Sequence, residues 1–343
     1  MSLPFQSVAI LGAGLMGRLM AATLAQAGCK VDVLEAGSPD AEGAAARVAA
    51  AMLAPLAESA VAPVSVVRMG QHALSRWPEL LALLAQPVFF QREGTLVPEL
   101  APMQALDTPA AIAALEPSLG TRFARGLYLP GEGQLDNRAL LASLLATLQA
   151  SPRVTLHWQS PRAPSDFSPG TTGQPDWVID CRGLGARPQW SALRGVRGEV
   201  IRVHAPEVTL QRPTRLVHPR YPLYIAPKPG NLFVIGATEI ESDDMSPASV
   251  RSTLELLSAA YAVHSGFAEA RIVEIATQCR PTLPDNLPAI RQPQPRVLQI
   301  NGLYRHGFMI APALLDAAME LLAHGHSALA RRFGMETTTT DDA

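Results

Sequence analysis

The stretch from Ser7 to Glu35 does most to limit what this chain can fold into. An apolar run, Ser7-Val-Ala-Ile-Leu11, leads into Gly12-Ala-Gly14-Leu-Met-Gly17. An Ala-rich run then reaches Gly28, and Lys30-Val-Asp-Val-Leu-Glu35 follows. This reads as strand, glycine turn, helix and strand, closed by an acid. Gly12 suits a tight turn, Gly14 a close approach of backbone to a pyrophosphate, and Gly17 the packing of helix on strand. The helix N-terminus offers that pyrophosphate unpaired N–H groups and the positive end of a dipole. Glu35 stands 18 residues past Gly17, where a carboxylate accepts hydrogen bonds from ribose hydroxyls and repels a 2′-phosphate, which disfavours NADP. The pattern specifies a dinucleotide site, against the plainer reading of a glycine-rich turn in an ordinary α/β domain. It leaves FAD and NAD both open.

At 343 residues the chain is long enough for two domains and a large core. Its 48% hydrophobic and 17% charged residues match a globular protein and exclude a disordered one. A formal net charge of -2 gives no support for nucleic acid or a membrane surface as partner. No apolar run is read as a membrane span, and no basic segment, apolar core and cleavage site open the sequence. Cys29, Cys181 and Cys279 lie far apart, with neither a disulfide framework nor metal-ligand spacing, and each is expected as a small buried apolar residue. The expected compartment is the cytoplasm.

Along the chain, Ala44 to Pro55 is dense in small side chains, either a plain Ala-rich helix or backbone laid against something flat and bulky. A helix is expected over roughly 60 to 85, short strands at 88–90 and 94–97, and a helix opened by Thr108-Pro109. Gly126 to Asp136 reads as strand and glycine turn, 137–150 as a helix, 154–158 and 177–181 as strands. From Gly198 to Ala237 successive strands (199–203, 215–218, 223–226, 232–236) run without a long helix, which predicts an antiparallel sheet. A helix from Ser246-Pro247 to about His264, a strand at 270–277, a strand at 297–301, and a helix from Pro312 stopped by Gly325 complete the order. The fold class is α/β in its first unit and α+β overall.

Three features carry chemistry. The loop 302–307 before a helix would bring a helix N-terminus to a cofactor that gains negative charge. Arg280, read as following a strand, is placed to hold a carboxylate by two parallel N–H···O bonds, or is a solvated surface residue. Tyr224, in an apolar strand, offers its hydroxyl to the same carboxylate or is a core aromatic.

These pieces resemble the glycine oxidase branch of the D-amino-acid oxidase family, the branch that serves thiamine biosynthesis. The likeness runs through Gly12–Gly17, Ala49-Ala-Ala-Met-Leu-Ala-Pro55, Leu115-Glu-Pro117 and Gly133-Gln-Leu-Asp136. It continues in Val196-Arg-Gly-Glu199, Tyr224-Ile-Ala-Pro227, Gly236-Ala-Thr238, Arg280-Pro281 and Gly302 to Pro312. The resemblance implies a Rossmann-like FAD-binding domain (1–85, 130–195 and 275–333) interleaved with an antiparallel-sheet substrate domain (86–129 and 196–274), and a frayed tail at 334–343.

It further implies FAD bound without a covalent link. Gly12, Gly14, Leu15, Met16, Gly17 and Glu35 would hold its ADP half, Arg47 and Gly183 would add contacts, and Ala51, Met52 and Leu53 would run along the isoalloxazine. Arg305, His306, Gly307, Phe308, Met309 and Ile310 would surround the pyrimidine edge. Arg280, Tyr224 and Arg305 would take the carboxylate of a small amino acid, with dioxygen as the electron acceptor and no protein base. The family tends to form homo-oligomers. Two other readings stand beside this one: a dehydrogenase of the same fold that uses another acceptor, and a flavin-binding protein without turnover. Where the family has Gly before Met-Leu, this chain has Ala51. The segment Ala276-Thr-Gln-Cys279 and the turn Cys181-Arg-Gly-Leu-Gly185 also depart from its pattern. Glu239 is read as solvated, the alternative being that it faces the pocket and attracts a substrate amine.

Overall fold

The strand Ser7–Leu11 is buried almost throughout because parallel strands flank it on both sides, Lys30–Leu34 and Trp177–Asp180. The computed structural model describes residues 3–98, 105–106, 108–216, 223–335 and 337–339. Five parallel strands run side by side in the first sheet from Val297–Asn301 through Trp177–Asp180, Ser7–Leu11 and Lys30–Leu34 to Val154–His157 at one edge. Ala289–Gln294 adds antiparallel to Val297–Asn301, and Thr337–Thr339 adds parallel to it. The expected fray therefore does not extend to 337–339; positions 336 and 340–343 lie outside the described residues.

Four helices cover this sheet and share its core: Leu15–Gln26, Val64–Ala82, Asn137–Ala150 and Gly307–His324. Asp136 caps the third by accepting from the N–H groups of Arg138 and Ala139, as the Leu-Asp turn before an apolar repeat suggests. The last begins five residues before the expected start at Pro312, which now lies inside it. Pro312 has no N–H to give the Phe308 carbonyl. The indole of Trp77 supplies the missing donor, with Nε1 3.0 Å from that oxygen. By length and composition the stretch Tyr304–His324 could cross a membrane, contrary to the sequence reading, and 78% of its apolar window is buried inside this fold. Gly325 ends the helix in the left-handed region at φ 73°.

The second sheet is mostly antiparallel and is built on the long strand Arg194–His204, which pairs with Leu232–Gly236 on one side and Arg271–Thr282 on the other. Leu223–Lys228, Thr214–Leu216, Thr95–Pro98 and Gly126–Leu129 continue it. Positions 217 and 218 of the expected strand lie outside the described residues. Val250–Val263, capped by Ser249, packs its apolar side on this sheet. Arg271–Thr282 pairs along its whole length here. Residues 275–282 therefore go with the second sheet rather than with the first unit, and Arg280 sits in a strand opposite Val196 rather than in a turn. The Ala-rich segment is not one helix: a turn of helix at Ala45–Val48 gives way to extended Met52–Leu53, which pairs with Gly133–Leu135.

Candidate active site

The glycine turn is built as its spacing suggests. Gly12 has φ 92°, and a Cβ there would stand 2.9 Å from the Cys181 carbonyl oxygen. A Cβ on Gly17 would stand 1.8 Å from the Gly12 carbonyl oxygen, so helix and turn touch only because it is absent. Gly14 meets nothing closer than Ala44 Cβ at 3.6 Å, and its bareness serves the space in front of it. No side chain caps the helix N-terminus. Glu35 braces the turn, accepting from Ala13 N–H at 2.6 Å and from Gly37 N–H at 2.8 Å. Behind the turn, buried Arg18 donates to the carbonyls of Ala13 (2.7 Å), Leu141 (2.7 Å) and Pro39 (2.5 Å). The sequence reading missed Arg18; a charged residue on the inward face of the first helix was its only signal.

One cleft of about 700 Å³ starts at this turn. It passes Glu35 and the glycine turn at Gly183, runs along Ala49, Ala50, Ala51 and Met52, and ends at Tyr224, Arg280, residues 303–306 and the start of the core helix at 307–309. Fifteen of the residues singled out from the sequence line it: Gly12, Gly14, Leu15, Met16, Glu35, Ala51, Met52, Gly183, Tyr224, Arg280, Arg305, His306, Gly307, Phe308 and Met309. Gly17 packs behind it instead. Leu53 and Ile310 point into the core, at 1% and 0% exposure. Arg47 turns away to the Asp40 carbonyl at 3.3 Å. Gly307, the first residue of the core helix, has nothing within 4 Å of a Cβ position, so this uncapped N-terminus opens onto the cleft.

The small-residue wall has a strained point. Ala51 has φ 53°, a conformation that costs a non-glycine residue about 1 kcal/mol or more. Two neighbours hold it there: Leu135 N–H donates to the Ala51 carbonyl at 3.1 Å, and Lys228 reaches under the wall. Lys228 Nζ donates to the carbonyls of Ala50 and Leu135, both at 2.8 Å, and to Gln134 Oε1 at 3.0 Å. Ala51→Gly is expected to stabilise the fold by about 1 kcal/mol, read as a higher urea midpoint; a lower midpoint would mean that packing of the methyl outweighs the strain.

At the far end, two further glycines make room for side chains. Gly236 pairs with Tyr224, and a Cβ there would stand 2.8 Å from the Tyr224 hydroxyl. A Cβ on Gly198 would stand 2.3 Å from Arg280 Nη2. The Arg280 guanidinium lies across that gap and donates to the carbonyls of Thr238 (3.1 Å) and Arg197 (3.4 Å). Among the described residues no carboxylate pairs with it.

A nucleotide-binding turn, a wall of small residues and a guanidinium with no carboxylate partner among the described residues thus share one cleft. Residues 7–320 match the model of the family described as FAD dependent oxidoreductase. The chain belongs to that family. A protein of Rhizobium etli provisionally named thiamine biosynthesis oxidoreductase ThiO is 41% identical over 331 residues, 91% of this chain and 95% of the relative. The bifunctional protein ThiO/ThiG of a Nostoc species is 25% identical, and the match spans 53% of its length. The crystal structure of glycine oxidase from Geobacillus kaustophilus superposes with a TM-score of 0.80 at 23% identity, covering 97% of this chain and 99% of that one, a likeness of fold.

In this FAD-dependent oxidoreductase the other arginines of the cleft are already matched. Arg305 donates from Nη2 to Glu58 Oε2 at 2.7 Å and from Nη1 to Glu239 Oε2 at 2.9 Å. Arg215 Nη1 takes the other oxygen of Glu58 at 2.7 Å. The Tyr304 hydroxyl donates to Glu239 Oε1 at 2.5 Å. Two sequence expectations change here. Arg305 is not a free second cation, and Glu239 faces the cleft as an ion-paired group instead of being merely solvated. Burial works to raise the Glu58 pKa, but Arg215 and Arg305 outweigh it and hold the carboxyl below its ordinary range. Burial pulls His306 down to about 4, so it is neutral at neutral pH. Glu58, Arg215 and Tyr304 went unread in the sequence, since none lies in a motif that announces an ion pair.

Proposed function

We propose that this enzyme oxidises the amine of glycine, or of a small N-substituted or D-amino acid, in the manner that serves thiamine biosynthesis. The observation that carries the reading is the continuity of the cleft, which joins the dinucleotide turn to an arginine with no carboxylate partner among the described residues. The 41% identical relative, by its name a thiamine biosynthesis oxidoreductase, supports it.

The residues fit FAD: Gly12, Gly14 and Glu35 would hold its ADP half, Ala51 and Met52 would flank the ring system, and the uncapped helix end at Gly307 would face its pyrimidine edge. Bound FAD supplies a two-electron acceptor for the hydride that leaves the substrate Cα. Arg280 holds the substrate carboxylate through charge-assisted N–H···O bonds. The Tyr224 hydroxyl donates to the same carboxylate; burial raises its pKa, so it stays protonated. A small substrate fixed at its carboxylate keeps little rotational freedom, and that restraint lowers the barrier. No protein base is assigned, because Glu58 and Glu239 are ion-paired and His306 is too weak a base. The substrate amine enters neutral.

The product imine hydrolyses to an oxoacid and ammonia. With dioxygen as terminal acceptor, glycine, oxygen and water give glyoxylate, ammonia and hydrogen peroxide; in thiamine synthesis the imine itself is the useful product. A cytoplasmic location suits such a biosynthetic step. The test is the visible spectrum of the purified protein, with peroxide followed on addition of glycine, sarcosine and D-alanine. A yellow protein bleached by glycine that forms peroxide is expected. A protein that takes up no FAD would refute the reading, and bleaching without peroxide would make it a dehydrogenase.

A further inference from the structure

The substrate end of the cleft presents the same donor pair twice. Tyr224 and Arg280 both line it, close enough for the guanidinium's charge to act on the phenol, and Tyr304 and Arg305 form a second pair that grips one carboxylate. The first has no carboxylate partner among the described residues. The second is filled by the chain's own Glu239, whose two oxygens take the Tyr304 hydroxyl at 2.5 Å and Arg305 Nη1 at 2.9 Å.

Charge balance at this end points the same way. Among the described residues it carries three guanidiniums, Arg215, Arg280 and Arg305, and two carboxylates, Glu58 and Glu239. His306 is neutral, and both tyrosines are protonated because burial raises their pKa values. Among these described groups one positive charge is left over, enough for one substrate carboxylate. The two acids are not equivalent. Glu58 is locked between Arg215 and Arg305 with its side chain 16% exposed, whereas that of Glu239 is 33% exposed and open to the cleft.

We propose that Glu239 is a specificity residue that occupies the place of a second substrate carboxylate, so that the site takes amino acids with one carboxylate and turns away those with two. The inference rests on reading the site as that of a small-amino-acid oxidase. An incoming second carboxylate must displace Glu239 and give up charge-assisted bonds to do so. Without Glu239 the balance leaves two positive charges, and the Tyr304–Arg305 fork stands open to an acidic substituent on the amine. Selection therefore works by repulsion and prior occupancy as much as by attraction.

The test uses the FAD-loaded enzyme and two ether acids that lack an amine and are not oxidised: methoxyacetate, with one carboxylate, and diglycolate, with two. Binding is followed by calorimetry and by perturbation of the visible band. The wild-type enzyme is expected to bind methoxyacetate at least about tenfold more tightly than diglycolate, and Glu239→Ala to shift that ratio by about tenfold or more toward diglycolate. The ratio of kcat/KM for iminodiacetate over sarcosine should move in parallel. Glu239→Gln, which removes the charge at nearly constant shape, should shift both ratios in the same direction by less, and it decides the matter if the alanine variant does not fold. Unchanged ratios in the folded variants overturn the inference while the proposed function stands. Wild-type enzyme that binds no methoxyacetate and is not bleached by glycine overturns both.

Discussion

Arg280→Ala is expected to raise the KM for glycine by about a hundredfold while FAD stays bound and the fold is unchanged. The guanidinium meets the backbone carbonyls of Arg197 and Thr238 and no carboxylate among the described residues, so its remaining donors are the ones a substrate carboxylate would take. Removing one partner of a desolvated, hydrogen-bonded charge pair costs about 2–5 kcal/mol, and at about 1.4 kcal/mol per decade a loss near 3 kcal/mol is a factor of about 10². The loss should fall mostly on KM, because the carboxylate is held alike before and during hydride departure. Gly198→Ala offers an independent route to the same outcome: its methyl would stand 2.3 Å from Arg280 Nη2 and push the guanidinium aside without touching its charge. Steady-state kinetics with the FAD absorbance recorded on each variant decides it. A KM unchanged in both would remove Arg280 from the substrate site.

Local chemistry was legible in the sequence; pairing between distant residues was not. The turn at 12–17 could be read because its glycines, helix dipole and acid all lie within thirty residues, although the Cys181 carbonyl that crowds Gly12 does not. Thr108 was readable as a helix cap for the same reason. The core helix was expected to begin at Pro312 because proline ordinarily blocks what precedes it. The compensating donor is Trp77, 231 positions from the Phe308 carbonyl it serves. Arg305 was read as a substrate cation from its motif. Its neutralising partners, Glu58 and Glu239, lie 247 and 66 positions away, and Glu58 sits in no motif. Lys228, which carries no signal of its own in the sequence, donates to the Ala50 and Leu135 carbonyls beneath the wall. The glycines at 198 and 236 lay in quoted motifs, and only the sheet register shows that they clear space for Arg280 and Tyr224.

Two substitutions in the opening turn separate holding the cofactor from holding the fold. Gly14→Ala places a methyl 3.6 Å from Ala44 Cβ, an ordinary contact, at a backbone with φ −73° that any residue adopts. The protein should fold with a urea midpoint near wild type. The methyl, however, fills the cleft where backbone must approach the pyrophosphate, so apoprotein affinity for FAD should fall by about a hundredfold or more, the cost of about 3 kcal/mol at that contact. Gly17→Ala acts differently. Its methyl would stand 1.8 Å from the Gly12 carbonyl oxygen and 2.9 Å from the Gly12 carbonyl carbon. Neither atom belongs to a flexible side chain, so the helix must back away from the strand. Overpacking of that kind costs about 1–3 kcal/mol and sometimes more. It also tilts the N–H groups at the helix start away from the cleft. Gly17→Ala should therefore lose FAD affinity and stability together, whereas Gly14→Ala loses affinity alone. Fluorescence titration of each apoprotein with FAD, beside its urea unfolding curve, tests the contrast. Equal stability losses in the two variants would mean that Gly14 is kept for the turn and not for the cofactor.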